Sequence, residues 1–271
     1  MAQLRLLVGT LLLRPYVFDF LVVFVTLAVL AWGWRRTLLY AVLGYALAWA
    51  AEYASIHIGF PFGFYTYISA PTADKELWVA GVPFMDSLSF VFLTFAGLQA
   101  ARLALSPVAP GGQGRWDLRW TRPQQPPGWA TWLLAGVLTM GLDIIIDPVA
   151  LRGDRWFLGL IYDYPGGGQY FGVPLSNFAG WALLAWIIVG AFLLLDRLLL
   201  RRWWGAWKGY PGDAMWGAAL FAGVLAFNLV ATFAIGEVVL GLMGCAWAAL
   251  MLAPLVARLP GLLRLTRREW A

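Results

Sequence analysis

The sequence predicts an all-α protein: a polytopic bundle of about seven transmembrane helices, forming a single integral-membrane domain over residues 1–271. Hydrophobic residues make up 62% of the chain and charged residues only 12%, whereas a soluble domain carries about 25% charged residues. Apolar runs recur along the chain, and each is close to the ~20 residues that a helix needs to cross the hydrocarbon core of a bilayer. Length and composition together leave no room for a separate soluble domain.

Seven of these runs are predicted to span the membrane. In order they are Tyr16–Trp34, Thr37–Ile58, Trp78–Leu105, Trp129–Asp147, Pro174–Leu195, Ala214–Ile235 and Glu237–Ala257. The basic and then apolar start of the chain is predicted to be retained and to form a short interfacial helix. Pro148 is predicted to end the fourth span, since proline breaks the helical hydrogen-bond ladder. The glycines of Pro107–Gly128 indicate a loop.

Basic residues are distributed unevenly between the two sides of this topology. Of the 19 lysines and arginines, the poorer side receives only Arg5, Arg14, Lys75, Arg152 and Arg155. Because loops rich in Lys and Arg stay in the cytoplasm, the richer side is predicted to be cytoplasmic. We therefore expect a multi-pass protein of the plasma membrane with its N-terminus outside and its C-terminus in the cytoplasm. The net charge of +5 is explained by these loops and indicates no nucleic-acid partner.

Acidic residues concentrate near the non-cytoplasmic ends of the predicted helices. Carboxylates within a membrane are costly and usually functional, so this asymmetry predicts one polar site open to the outer leaflet, together with His57 and Asn177. The acids concerned are Asp19, Glu52, Asp86, Asp143, Asp147 and Glu237.

Asp143 and Asp147 are the strongest catalytic candidates. Residues four apart share a helix face, and two carboxyl groups held close in low dielectric keep one of them protonated, as a general acid requires. The alternative is that Asp147 only ends its helix in water, with Arg152 as its partner. Glu52 is also predicted to be functional, because no basic residue lies near it in the sequence.

Several other polar residues have a structural as well as a functional interpretation. His57 is either a site residue or part of an interfacial aromatic belt. Asp86 could simply favour the start of its helix, and Asn177 could cap the next one. Asn228 and Thr232 are predicted to form hydrogen bonds between helices, and the glycines at 166–168 a flexible turn rather than a phosphate loop.

The single histidine and single cysteine exclude the imidazole-rich iron sites of membrane oxygenases and any cluster held by cysteine ligands. A site for magnesium or manganese made only of carboxylates stays open on composition, but the spacing of these acids favours none. We predict no metal and no cofactor.

Three motifs resemble one known family. They are EYASIHIGFPFGFYTY from Glu52, LDIIIDPVALRGDRW from Leu142, and YFGVPLSNFAGW from Tyr170. Together they are similar to the membrane carotenoid-biosynthesis family typified by CruF, whose members are carotenoid 1,2-hydratases and include the bisanhydrobacterioruberin hydratases. The resemblance covers the second to fifth predicted spans. It implies addition of water to the terminal C1=C2 bond of an acyclic carotenoid end group, as in γ-carotene or lycopene.

Under that resemblance, Asp143 is expected to donate a proton and Asp147 or Glu52 to position and deprotonate water. Asp86 and Asn177 would complete the polar pocket, with the polyene running between helices toward the cytoplasmic leaflet. The residues expected to line the end-group site are His57, Phe62, Phe64, Tyr65, Tyr67 and Trp156. Expected partners are the carotenoid, membrane lipid and other enzymes of the pathway.

Three alternatives remain open on sequence grounds. A proton-initiated carotenoid end-group cyclase or isomerase would use the same acid while excluding water. A transporter would continue its polar residues through the full membrane depth, and a non-catalytic pigment-binding protein would not need the acids.

Overall fold

The computed structural model describes residues 2–70, 72–105, 127–156, 159–210 and 212–257. The predicted Pro107–Gly128 loop lies outside these residues except for its last two positions. So do several of the basic residues on the richer side of the charge count, namely Arg115, Arg119, Arg122, Arg258, Arg264, Arg267 and Arg268. The orientation in the membrane therefore stays a prediction.

The described chain is a helical membrane bundle, as the composition predicted. Its helices are α1 (Ala2–Leu13), α2 (Pro15–Trp32), α3 (Trp34–Ile58), α4 (Phe84–Leu105), α5 (Trp129–Ala150), α6 (Leu175–Leu195), α7 (Arg201–Trp204), α8 (Asp213–Ala234) and α9 (Val238–Val256). A π-helical segment, Asp196–Leu200, joins α6 to α7. The first predicted element, a short helix at the start of the chain, is present as α1.

By length and composition, six helices of the described chain can cross a membrane: α2, α4, α5, the continuous α6–α7 segment, α8 and α9. The remaining predicted span, Thr37–Ile58, corresponds to α3, which has 25 residues but is less apolar because it carries Arg35, Arg36 and Glu52. Its two ends nevertheless reach opposite ends of the bundle. Arg36 bonds to Asp196 near the end of α6, and Glu52 accepts a hydrogen bond from the first turn of α4.

Two predicted boundaries were wrong. The third span starts at Phe84 rather than Trp78, because β2 (Trp78–Val79) and β3 (Val82–Pro83) form an antiparallel pair before it. The fourth predicted span, α5, continues through Pro148 to Ala150, since a buried helix end can tolerate one lost hydrogen bond when its neighbours pack around it. The predicted junction between the last two spans is confirmed by Gly236, which has a φ of +78° between α8 and α9.

Helix α4 lies at the centre of the bundle, packed against α2, α3, α5, α6 and α8. Its contact with α5 is close at Gly97, where an added Cβ would lie 2.3 Å from Thr139 Oγ1 and 2.9 Å from the Ala135 carbonyl oxygen. Small residues at such contacts allow helices to approach without the hydrophobic driving force available in water.

Buried ion pairs occur at both ends of the bundle, and Arg14 pairs with Glu76 at 3.2 Å at the end opposite the predicted cytoplasmic side. At the predicted cytoplasmic end, buried acids pair with arginines: Arg36 with Asp196 at 2.7 Å and Arg102 with Asp213 at 3.2 Å. At the opposite end, two loops fold over the helices, and β1 (Thr66–Tyr67) pairs antiparallel with β4 (Tyr162–Asp163). We call residues 59–70 and 159–174 the cap.

Candidate active site

A cavity lies beneath the cap, at the end of the bundle where the acids were predicted to gather. The space at this site, with that of its open mouth included, is about 910 Å³. Its polar wall consists of side chains from α3, α4, α5, α6 and the cap: Glu52, Tyr65, Tyr67, Asp86, Ser89, Asp147, Tyr162, Tyr164 and Asn177.

One asparagine joins the two aspartates of α5. The Nδ2 atom of Asn177 lies 2.6 Å from Asp143 Oδ2 and 2.6 Å from Asp147 Oδ2. Only Asp147 lines the cavity. Asp143 is fully buried behind it, and its Oδ1 has no hydrogen-bond partner among the described residues. The predicted pair is therefore brought together, but only its outer member faces the space where a substrate would bind.

Two tyrosines of the cap also hold Asp147. Tyr162 donates to Oδ1 at 2.8 Å and Tyr164 to Oδ2 at 3.3 Å. Sequence reasoning missed both. The available signal was the IYDYP segment from Ile161, in which tyrosines at alternate positions share one face of a short strand.

Glu52, on α3, has a different environment. Its side chain is 3% exposed, and Ser87 Oγ donates to its Oε2 at 2.6 Å. In the described part of the chain, no Arg, Lys or His forms an ion pair with Glu52, Asp143 or Asp147. Ser87 was not predicted, and its neighbour Asp86 is half-buried and also lines the cavity.

Four tyrosines of the cap pack against one another beside these carboxyl groups. Tyr65 packs edge to face against Tyr67, Tyr162 and Tyr164, with ring centroids 5.2–5.9 Å apart. Burial, and then the nearby carboxylates, raise the pKa of Tyr65, Tyr67 and Tyr162 well above the usual range. These hydroxyls therefore stay neutral and can act as hydrogen-bond donors at any physiological pH.

The chain matches a family model described as carotenoid biosynthesis protein over residues 8–254. This protein belongs to the carotenoid biosynthesis family. No curated protein and no solved structure gives a match. Membership indicates a biosynthetic enzyme that acts on a carotenoid, and the match includes α8 and α9, which lie beyond the motifs that first suggested the family.

Not every predicted lining residue of this carotenoid biosynthesis protein reaches the cavity. Phe62, Tyr65, Tyr67, Trp156 and Asn177 line it. His57 is exposed on α3, where its Nδ1 lies 2.7 Å from the Tyr53 carbonyl oxygen. Phe64 is 54% exposed on the outside of the cap. His57 and Phe64 therefore lie outside the site.

Of the six acids predicted to share one site, four lie at or next to the cavity. Asp19 is exposed on α2, and Glu237 forms ion pairs with Arg152 and Arg155 outside the cavity. Burial alone would raise the pKa of Glu237, but hydrogen bonds from the two arginines hold it below its usual value. The alternative in which Arg152 pairs with Asp147 was wrong, because Arg152 instead bonds to Glu237 at 3.0 Å.

The predicted bonds between helices at Asn228 and Thr232 were also wrong. Asn228 donates to the Val224 carbonyl oxygen and Thr232 to the Asn228 carbonyl oxygen, both within α8. Asn228 lines the cavity. No group of three His, Cys, Asp or Glu side chains in the described ranges could hold a metal ion.

Proposed function

We propose that this protein is a carotenoid 1,2-hydratase, which adds water to the terminal C1=C2 bond of an acyclic end group such as that of γ-carotene or lycopene. The observation that carries the proposal is the contrast between Glu52 and Asp147, two carboxyl groups on one aromatic cavity with different hydrogen-bond environments. Addition of water to an alkene needs both a proton donor and a proton acceptor.

Glu52 is the proposed acid. It is buried and accepts a hydrogen bond from Ser87, and in the described part of the chain no basic side chain forms an ion pair with it. Burying an unpaired charge is far more costly than burying a neutral carboxyl group. A neutral Glu52 beside an apolar chain can transfer its proton to C2, which leaves a tertiary cation at C1.

Asp147 is the proposed base. It accepts hydrogen bonds from Tyr162, Tyr164 and Asn177, and donors of this kind stabilise the ionised form of a carboxyl group. A water molecule forms its C–O bond to C1 and gives up one proton to Asp147. The net change is one hydrogen on C2 and one hydroxyl on C1, and the proton on Asp147 returns to Glu52 before the next turnover.

This assignment departs from the expectation that Asp143 donates the proton. The Asp143 carboxyl group does not line the cavity, so we propose it as a positioning residue that shares Asn177 with Asp147. Asp86, which is half-buried on the same cavity, would help to hold water.

Aromatic rings surround the place where the cation would form. Phe90 and Trp181 stack with centroids 4.1 Å apart, and Phe62 lies 5.8 Å from Phe90. Ring faces attract positive charge, by about 0.5–2 kcal/mol for each contact. This supports a cationic intermediate over a purely passive pigment site.

The test is expression in cells that accumulate lycopene, followed by mass analysis for a gain of about 18 Da, the mass of one water. We expect hydration by the wild type, loss with Glu52→Gln and Asp147→Asn, and full activity in Asp19→Asn, the matched control with an exposed acid at the same end. Full hydration by folded Glu52→Gln would refute the role of Glu52. A cyclised product of unchanged mass would favour the cyclase alternative instead.

A further inference from the structure

The polyene part of the substrate needs a path out of the cavity. Along α4 the lining residues run from Met85 to Leu93, which is about 12 Å of helix at 1.5 Å per residue. An acyclic carotenoid is comparable in length to the hydrocarbon core, about 30 Å. The cavity can therefore enclose an end group, while most of the chain must lie elsewhere.

The interior of the bundle is closed below the cavity. Phe24, Tyr40 and Phe95 are each 0% exposed, with Phe24 packed 5.0 Å from Phe95 and 6.0 Å from Tyr40. None of the three lines the cavity, and Tyr40 is bonded to Thr94 at 2.8 Å. This layer blocks the expected path between the helices toward the cytoplasmic leaflet.

The apolar wall of the cavity instead faces sideways, toward α2 and α8. Phe227 of α8 stacks on Tyr16 of α2 at 5.0 Å and meets Phe20 edge to face at 5.8 Å. All three line the cavity, yet each is only half-buried. They therefore form the wall of the cavity on the side of α2 and α8.

The surface outside this wall suits an apolar chain in a bilayer. Val23 of α2 is 42% exposed and Val230 of α8 is 68% exposed, and only 28% of α2 is buried inside the protein. The start of α2 is held by the buried ion pair between Arg14 and Glu76. Beyond that point, a helix with so few buried residues can part from its neighbour with a small loss of buried surface.

We propose that the carotenoid enters sideways from the lipid between α2 and α8, with Phe227 as the gate, so that one end group occupies the cavity while the polyene stays in the membrane. This rests on the proposed function for the identity of the chain. It makes the protein act on one end of its substrate at a time and makes Phe227 a determinant of substrate length.

The test compares Phe227→Trp, which enlarges the gate residue, with Val42→Trp, which adds the same ring at a 58% exposed position of α3, a helix that does not form the gate. Two substrates are supplied in detergent or vesicles: lycopene, and 2,6-dimethylocta-2,6-diene, which carries the same end group without a polyene. We expect Phe227→Trp to lower lycopene hydration by about tenfold or more while hydration of the short diene changes little. Val42→Trp should match the wild type with both.

A second readout does not require turnover. Phe227→Trp should co-purify with less lycopene per protein than Val42→Trp when both are made in lycopene-accumulating cells. Two results would overturn the gate: the same amount of bound lycopene in both variants, or the same loss of hydration activity of Phe227→Trp with lycopene and with the short diene. If the wild type binds lycopene but hydrates neither substrate, the hydratase proposal fails, and the binding ratio of the two variants still decides for or against the gate.

Discussion

The hydroxyl group of Tyr162 provides the sharpest test of the proposed base. Tyr162→Phe removes one oxygen and with it the 2.8 Å hydrogen bond to Asp147 Oδ1, while the ring keeps its place against Tyr65 and Tyr164. A hydrogen bond to a charged group contributes about 1.5–3 kcal/mol, and each 1.4 kcal/mol is about tenfold in rate. We therefore expect kcat/KM to fall about ten- to a hundredfold.

Two other tyrosines give a graded comparison. Tyr164→Phe removes a longer bond of 3.3 Å to the same carboxyl group and should cost at most about tenfold. Tyr45 has a buried hydroxyl without a hydrogen-bond partner in the described ranges, so Tyr45→Phe should leave the rate unchanged. It controls for the general effect of losing a tyrosine hydroxyl near the site.

The assay is hydration of lycopene by purified protein in detergent, with thermal unfolding and bound pigment measured on the same samples. The loss should appear in kcat with bound pigment unchanged, because Tyr162 belongs to the polar wall. A Tyr162→Phe protein with native thermal stability and a wild-type kcat would refute the assignment of Asp147 as the base. An equal loss in Tyr45→Phe would show that the effect is not specific to the bond.

Three further outcomes follow from the packing and the charges. Gly97→Ala should destabilise the protein by about 1–3 kcal/mol, because α4 and α5 are in contact there. Gly223→Ala should not destabilise it, because no atom lies within 4 Å of the added Cβ. Thermal unfolding in detergent compares the two variants. Since its pKa is lowered, Glu237 stabilises the fold fully above its unfolded pKa of about 4.3. The stability deficit of Glu237→Gln at neutral pH should therefore shrink as the pH falls below that value and Glu237 becomes protonated in the folded protein. Since burial raises the pKa of Tyr162, stability should fall above about pH 10, less so in Tyr162→Phe.

Much of the candidate site could be predicted from the free-energy cost of placing carboxyl groups in a membrane. Carboxyl groups in apolar helices are expensive, and counting arginines assigns each helix end to a side, so Glu52, Asp86, Asp143 and Asp147 could be assigned to one end of the bundle in advance. The same reasoning selected Asn177 from its place at the start of a helix.

The ranking within that set could not be predicted. A spacing of four puts Asp143 and Asp147 on one face, but whether a face opens to a cavity depends on how α5 is rotated against α4 and α6. That rotation follows from side-chain contacts such as the one at Gly97. Likewise, Arg152 lies close to Asp147 in sequence yet bonds to Glu237, because the loop after α5 turns toward the end of α8.

The sequence by itself determined the class of this protein, most of its helices and the end of the bundle that holds the acids. These features depend on the free energy of transferring side chains between water and lipid, which is set by the composition of each segment and not by its neighbours in the fold. Only the tertiary structure decided which carboxyl groups face the cavity, which tyrosines hold Asp147 and which helices form the apolar wall. Those features arise from contacts between residues far apart in the chain, such as the pairing of Tyr67 with Tyr162 and the stacking of Tyr16 on Phe227. No local pattern encodes them, since each depends on how two separately stable segments come to lie against each other.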